Sequence, residues 1–203
     1  MTVDDDWDTA DSEPPKLNVR CTDSDCDNDL HCFKRTQRMI ADEAPRGECR
    51  ECHEQLVELD RTRERRPGDG EYLRYALEKE LIRHHFWHLA VDEKAVAHAT
   101  RKGRIALYEA VPRRLRSSVG KATPFRDGTQ TPMSGNSIYY AQHATAACCR
   151  TCIEYWHGIE KGRELNDEEI DYLTELVVGF LDERLPDLED EGKRVPRVSN
   201  PDS

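Results

Sequence analysis

The eight cysteines of this 203-residue chain fall into two widely separated groups. Five lie between residues 21 and 52, and three lie between residues 148 and 152. Two adjacent cysteines argue against a regular disulfide framework, and the acidic start "MTVDDDWDTADSEPP" lacks the basic and apolar regions of a signal peptide. We therefore expect a cytoplasmic protein with reduced thiols, in which clustered cysteines are best explained as metal ligands.

The composition limits the size of the hydrophobic core. Hydrophobic residues make up 36% of the chain, charged residues make up 35%, and the net charge is -11. A soluble protein with a modest core is expected from such a balance. No stretch of the sequence has the run of apolar residues that a membrane span needs, so we expect no membrane association.

Changes in composition along the chain predict four regions. Residues 1–16 are rich in acids and are expected to form a disordered tail. Residues 17–66 carry five cysteines and are expected to form a metal-binding module. The turn-rich stretch "RRPGDGEY" then separates this module from a helical domain at 71–185. A second disordered tail is predicted at 186–203.

The predicted fold class is mainly α: a small zinc-ribbon-like N-terminal module followed by an α-helical domain with a long irregular loop. Apolar spacing predicts amphipathic helices, while the glycines, prolines and polar residues of 117–137 predict the loop. Asn166 and Glu169 form a good capping signal for the last helix. The main predicted helices span 71–89, 138–156 and 167–185.

The N-terminal cysteines have the spacing of a small zinc module. Two cysteine pairs separated by twenty-odd residues can supply the four tetrahedral ligands that structural zinc prefers. Zinc would also contribute folding energy that this polar segment cannot obtain by burial. Five cysteines compete for four positions, so Cys32 could replace Cys21 or Cys26, and His31 and His53 are spare candidates. The predicted ligands are Cys21, Cys26, Cys49 and Cys52.

The second group lies in "AQHATAACCRTCIEYWH" at 141–157. A helix advances about 100° per residue, so Cys148, Cys149 and Cys152 can face one point, with Cys149 and Cys152 as a chelating pair. His143 would face the other way in a straight helix. His157, beside a helix-ending glycine, and His88, from an upstream helix, are the predicted further ligands. An iron–sulfur cluster or a redox-active cysteine pair remain alternatives.

A basic stretch suggests an anionic partner. The protein is acidic overall, yet residues 101–126 carry a local excess of positive charge. Beside a cysteine-rich zinc module, such a stretch fits DNA or RNA, whose phosphates dominate affinity. The alternative is a solvated face paired with the acidic last helix. The residues predicted to contact nucleic acid are Arg101, Lys102, Arg104, Arg113, Arg114 and Arg116.

An enzyme is the second functional hypothesis. A catalytic zinc keeps one coordination position open for water, and a hydrolase acting on a phosphorylated or nucleotide-like substrate would use it in that way. His143, Asp127 and Gln130 are the candidate catalytic residues. Since no motif of a known reaction class is present, we rank a zinc-binding, nucleic-acid-associated protein first.

Three motifs resemble one family. The segments "RDGTQTP", "AQHATAACCRTC" and "WHGIEKGREL" are similar to those of domain-of-unknown-function family 4186, over about residues 87–185. The upstream F-H-L of that family corresponds to "FWHL" here, with one residue inserted before His88. The resemblance implies no known activity. It implies a shared site at Gln130, His143, Cys148, Cys149, Cys152 and His157.

Overall fold

The predicted fold class is confirmed by the architecture of the chain. A computed structural model describes residues 19–66, 68–126 and 128–196. Within these residues the protein is mainly helical, with eight α-helices, and its only β-structure consists of three isolated bridges. The predicted acidic tail at 1–16 and the last seven residues of the predicted C-terminal tail lie outside the described residues.

The helices divide into two short N-terminal ones and six longer ones. The N-terminal part contains a 3-10 turn at Cys26–Asn28, α1 at Gln37–Ala41 and α2 at Leu59–Arg63. The others are α3 at Gly70–Glu78, α4 at Leu81–His88, α5 at Glu93–Ser118, α6 at Ser137–Ala144, α7 at Arg150–His157 and α8 at Asp167–Arg184. In the described part of the chain, no helix combines the length and apolarity that a bilayer crossing requires.

Two of the helices predicted from periodicity are each divided in two. The segment 71–89 breaks where Glu80 adopts an extended backbone and forms a parallel bridge with His31. The segment 138–156 breaks at 145–149, where Ala146 adopts a left-handed backbone with a φ of 57°. The prediction of one continuous helix at 138–156 is therefore wrong, because Cys149 starts a new helix as its N-cap.

Two hydrophobic clusters hold the described residues together. The larger cluster packs α4, α5, α6 and α8 against one another, with Phe86, Leu107, Ile138 and Phe180 among its buried side chains. The smaller cluster joins the N-terminal part to the helical part. Its buried members are Phe33, Val57, Leu59, Leu73, Ala76, Leu77, Ala146 and Trp156. The boundary predicted at 65–70 therefore separates segments that share a cluster, and the division into independent domains stays a prediction.

Part of the predicted C-terminal tail lies against α5. Gly103 leaves the helical conformation with a φ of 71° and kinks α5. Three backbone groups near the kink bond to residues 189–193: the N–H of Arg104 to the Glu189 carbonyl, the N–H of Ile105 to the Asp190 carbonyl, and the Thr100 carbonyl to the Lys193 N–H. A ladder of backbone hydrogen bonds therefore fixes the chain past residue 186.

Candidate metal centres

Four ligand side chains converge in the N-terminal part. One ligand atom from each of Cys26, His31, Cys49 and Cys52 lies within 4.8 Å of the others. The Cys26 and Cys49 sulfurs are 3.8 Å apart, and the Cys52 sulfur is 3.6 Å from Nδ1 of His31. We call these four residues the first centre. Three thiols and an imidazole are a ligand set that tetrahedral zinc uses.

Two tight backbone turns present the cysteines of the first centre. An antiparallel bridge between Asp25 and Leu30 closes the turn that carries Cys26, and a second bridge between Glu48 and Gln55 closes the turn that carries Cys49 and Cys52. The Cys49 thiol is buried, which by itself opposes ionisation. The backbone N–H groups around it, including that of Glu51, outweigh burial and lower the pKa of Cys49 to about 6. This sulfur is prepared to act as a thiolate ligand.

A carboxylate holds His31 in position. Nε2 of His31 lies 3.2 Å from Oδ1 of Asp29, and Lys79 contacts the same carboxylate. A histidine that donates one ring N–H to a carboxylate keeps its other nitrogen free for a metal, and in His31 that nitrogen faces Cys52. The backbone of His31 is also fixed, since it bonds to Lys79 and Leu81 on either side of Glu80.

The remaining predicted or spare ligands of the N-terminal part lie elsewhere. Cys21 is not in the first centre; it is half-buried and packs against the larger hydrophobic cluster. Cys32 is buried, and its sulfur lies 3.4 Å from the Cys21 carbonyl oxygen. His53 is exposed and its Nδ1 lies 2.9 Å from Glu48. The structure thus groups His31 with three of the predicted cysteines, in the place that spacing assigns to Cys21.

Three cysteines form a second centre around the start of α7. The sulfurs of Cys148, Cys149 and Cys152 lie within 4.8 Å of one another. They meet through the turn before α7 rather than along one helix face: Cys149 is the N-cap, and its sulfur accepts the backbone N–H of Cys152 at 3.4 Å. Cys149 and Cys152 therefore lie at a helix N-terminus, where the helix dipole favours a thiolate. A bond to Cys148 lowers the pKa of Cys149, but the bond to Cys152 and burial outweigh it and raise that pKa, so Cys149 stays a thiol beside Cys152.

A buried arginine faces the sulfurs of the second centre. Arg83 donates to the Cys152 sulfur at 3.1 Å, to the Cys148 sulfur at 3.6 Å and to the His143 carbonyl at 2.6 Å. Its charge is balanced by Glu80, 2.9 Å away and also buried, which accepts the Trp156 N–H as well. The thiols of Cys148 and Cys149 donate to Cys152 and Arg83 adds positive charge, so the pKa of Cys152 lies well below its usual range despite burial.

The two histidines predicted to complete the second centre are bonded to other groups. His157 is buried between the Thr145 carbonyl and the Tyr172 hydroxyl, each 3.0 Å from one of its ring nitrogens. Burial lowers the pKa of His157 to about 4, which keeps the ring neutral. His88 is exposed, stacks on His84 and bonds through Nδ1 to the His84 carbonyl. Neither side chain is grouped with the three sulfurs.

Among the candidate catalytic residues, His143 connects the long loop to the segment before the second centre. Nε2 of His143 lies 3.2 Å from the carbonyl oxygens of Thr131 and Pro132, and the Thr131 hydroxyl donates to the Cys148 carbonyl. Burial and the nearby Arg83 lower the pKa of His143 to about 4. Gln130 bonds within the loop to the N–H of Gly128. The third candidate, Asp127, lies outside the described residues.

Several side chains of the basic stretch pair with other residues of the same chain. Arg104 pairs with Asp182 and Asp190, and Arg116 pairs with Asp167, which is the first residue of α8. Arg114 lies over the ring of Tyr139, with its guanidinium carbon 4.7 Å from the ring centre. The pairs of Arg104 with Asp182 and of Arg116 with Asp167 match the alternative in which the basic face pairs with the acidic last helix.

The sequence gives little indication that Glu80 and Arg83 are buried beside the second centre. Charged residues within an amphipathic stretch are usually solvent-facing, and the helix break that buries this pair depends on the distant His31. His31 itself has a signal, because it stands beside Cys32 in the cysteine-rich segment, but spacing alone makes it no more than a spare ligand.

In the described residues, the fold and the sites define a helical protein with one cluster of three cysteines and a histidine and one cluster of three cysteines, each of which could hold a metal ion. The chain belongs to the family described as domain of unknown function (DUF4186), whose profile matches residues 71–182, more than half of the protein. This confirms the resemblance seen in the sequence. No solved structure matches the chain. The second centre and Arg83 lie inside the matched region, while the first centre lies before it.

Proposed function

We propose that this is a zinc-binding protein in which the first centre is structural and the second centre is a buried metal–thiolate site. The observation that carries the proposal is the convergence of Cys26, His31, Cys49 and Cys52 within 4.8 Å. Four protein ligands fill a tetrahedral ion completely, which is typical of a structural rather than a catalytic zinc site.

The role of the first centre follows from its surroundings. His31 is bonded through its backbone to the junction between α3 and α4, so an ion at the first centre would fasten the N-terminal part to the helical part. Binding of a metal to ligands that converge only in the folded state adds directly to folding free energy. The metal would stabilise the contact between the two parts.

The burial of the second centre supports a metal ion that is shielded from solvent. Cys148 and Cys149 are only 4% and 5% exposed, and Arg83 donates to two of the three sulfurs. N–H donors of this kind stabilise metal-bound thiolates. The burial disfavours the hydrolase hypothesis, because a hydrolytic site needs access for water and substrate. Nucleic-acid association also ranks lower than in the sequence-based hypothesis, since Arg104 and Arg116 have acidic partners within the chain.

The test compares two histidine variants of the full chain. The unmodified protein, purified without chelators, is expected to contain two zinc ions per chain by elemental analysis. His31→Ala is expected to lose one of them, because its ring belongs to the first centre. His53→Ala is the matched control and is expected to keep both, since His53 is exposed and bonded to Glu48.

Two results would contradict the proposal. Two zinc ions retained in His31→Ala, as in His53→Ala, would remove His31 from the ligand set and contradict a first centre with four protein ligands. Iron with acid-labile sulfide and visible absorption, lost on Cys152→Ser, would assign the second centre to an iron–sulfur cluster instead.

A further inference from the structure

Two histidines on one face of α4 belong to neither centre. His84 and His88 are four residues apart, so their side chains are neighbours on the helix surface. Their rings stack with centroids 4.0 Å apart, which is less than the rise of about 6 Å between positions four apart in a helix. The two side chains therefore lean toward each other. We call these two residues the histidine pair.

We propose that the histidine pair is an exchangeable binding site for a late first-row divalent transition ion, the class that includes Ni²⁺ and Cu²⁺. Imidazole nitrogens are ligands that these ions prefer, and affinity for such ligands rises along the series from Mn²⁺ to Cu²⁺. Two histidines at positions i and i+4 of a helix can chelate one ion, because both rings lie on the same face. The site lies outside both cysteine centres and does not depend on the proposed function.

A hydrogen bond holds the ring of His88 in a form that can bind metal. Its Nδ1 donates to the His84 carbonyl, 2.8 Å away. In a neutral imidazole the other nitrogen, Nε2, then carries the lone pair. A backbone carbonyl that accepts one ring N–H is a common partner of a metal-binding histidine. Because the side chain of His88 is exposed, its Nε2 can be reached by an ion from solvent.

The ring of His84 can supply the second nitrogen. Within the described residues it stacks on His88, and neither of its ring nitrogens has a hydrogen-bond partner. The side chain is partly exposed, so an ion beside His88 can reach it. His85 differs from both, since its ring packs edge-to-face against Phe86.

The backbone that carries the histidine pair is held by the core. Phe86 and Trp87, between the two histidines in sequence, are buried in the larger hydrophobic cluster. The helix thus keeps both rings on one turn, and rotation of the side chains is enough to bring two nitrogens to one ion. The net charge of the chain, -11, favours the approach of a cation.

Two protein ligands make a weaker site than the cysteine centres. Within the described residues, no third histidine, cysteine or carboxylate is grouped with the histidine pair, so water would complete the coordination of an ion there. An ion held by two side chains exchanges readily with solvent. The histidine pair therefore does not add to the two zinc ions that are expected to remain after purification.

The experiment titrates Ni²⁺ into the untagged, zinc-loaded full chain by calorimetry, because Cu²⁺ also reacts with thiols. We expect one Ni²⁺ per chain. His84→Ala or His88→Ala is expected to weaken its binding about tenfold or more, since a second ligand on the same helix acts at a high effective concentration. His85→Ala and His53→Ala are the controls and are expected to leave the affinity unchanged, because His85 packs on Phe86 and His53 is an exposed histidine of the N-terminal part.

A double variant and the zinc content separate the outcomes. The combination of His84→Ala with His88→Ala is expected to lose little more affinity than either single variant, because each one already breaks the chelate. Equal Ni²⁺ affinity in the unmodified protein and in both single variants would overturn the site. Ni²⁺ uptake with an equal release of zinc would overturn it as well, since the ion would then have entered a cysteine centre. An equal loss in His85→Ala would assign the ion to other ligands and would also contradict the histidine pair.

Discussion

The side chain of Arg83 links several groups of the second centre. It contacts Glu80, Cys148, Cys152 and the His143 carbonyl while being only 1% exposed. Glu80 is 4% exposed. A buried charge is tolerated only when it is paired and hydrogen-bonded, so each of these two charges depends on the other.

We expect Arg83→Met to destabilise the protein by about 3–5 kcal/mol, because it leaves Glu80 buried without a compensating charge. The control is Arg38→Ala, which removes an exposed pair with Asp42 and is expected to cost about 1 kcal/mol or less. Denaturant unfolding of the metal-loaded proteins measures both changes.

A double variant identifies the cause of the loss. Glu80→Gln combined with Arg83→Met removes both charges and is expected to be more stable than Arg83→Met alone. A double variant that is less stable by the sum of the two single effects would mean that the two residues act independently, contrary to the geometry described above.

Among the secondary-structure elements, a helix end is predicted well from the sequence where its capping residues are neighbours in the chain. Asn166 and Glu169 form a complete capping box, and α8 spans Asp167–Arg184, close to the prediction. The break between α6 and α7 has a different origin. Arg83 donates to the His143 carbonyl and His157 bonds to the Thr145 carbonyl, so tertiary contacts help to end a segment whose residues would favour one helix, while Cys149 caps α7 locally.

The kink of α5 leads to a prediction for Gly103. A Cβ at this residue would overlap backbone atoms of Glu191 and Gly192, and the φ of 71° with ψ of 167° is a conformation that only glycine adopts readily. Gly103→Ala is expected to cost on the order of 1–3 kcal/mol and to detach residues 189–193. Limited proteolysis of this segment is the measurement.

Gly179 provides the matched control within α8. A Cβ there meets no atom within 4 Å, and its backbone is helical. Gly179→Ala is expected to stabilise the protein by roughly 0.5–1 kcal/mol, as is typical in a helix interior. If the two alanine variants are cleaved alike between residues 189 and 193, the contact at Gly103 does not hold the segment.

Across the whole molecule, the N-terminal part and the helical part share a hydrophobic cluster. Phe33 packs edge-to-face on Trp156 with ring centres 5.8 Å apart. Hydrogen bonds cross the same contact, from Arg63 to the Glu154 carbonyl and from Thr62 to the Trp156 carbonyl. Shared burial of this kind couples the unfolding of the two parts.

We expect Phe33→Ala to cost about 3–5 kcal/mol and to reduce hydrogen-exchange protection in α3 and α7 as well as in the N-terminal part. Met39→Ala is the control, since Met39 is buried in α1 but belongs to neither hydrophobic cluster. Its effect should stay within the N-terminal part. Loss of protection confined to residues 19–66 in Phe33→Ala would instead support two independently folding domains.

The helical class, the capped last helix, the long loop and the two cysteine groups could all be read from the order of the residues. These features depend on neighbours a few residues apart, where spacing and capping chemistry act directly. Which ligands meet could not be read in this way. Folding placed His31 with three cysteines, left His88 and His157 away from the sulfurs, and buried Arg83 beside Cys152. Such groupings depend on distances between segments far apart in sequence, and those distances are set by packing of the core rather than by local pattern.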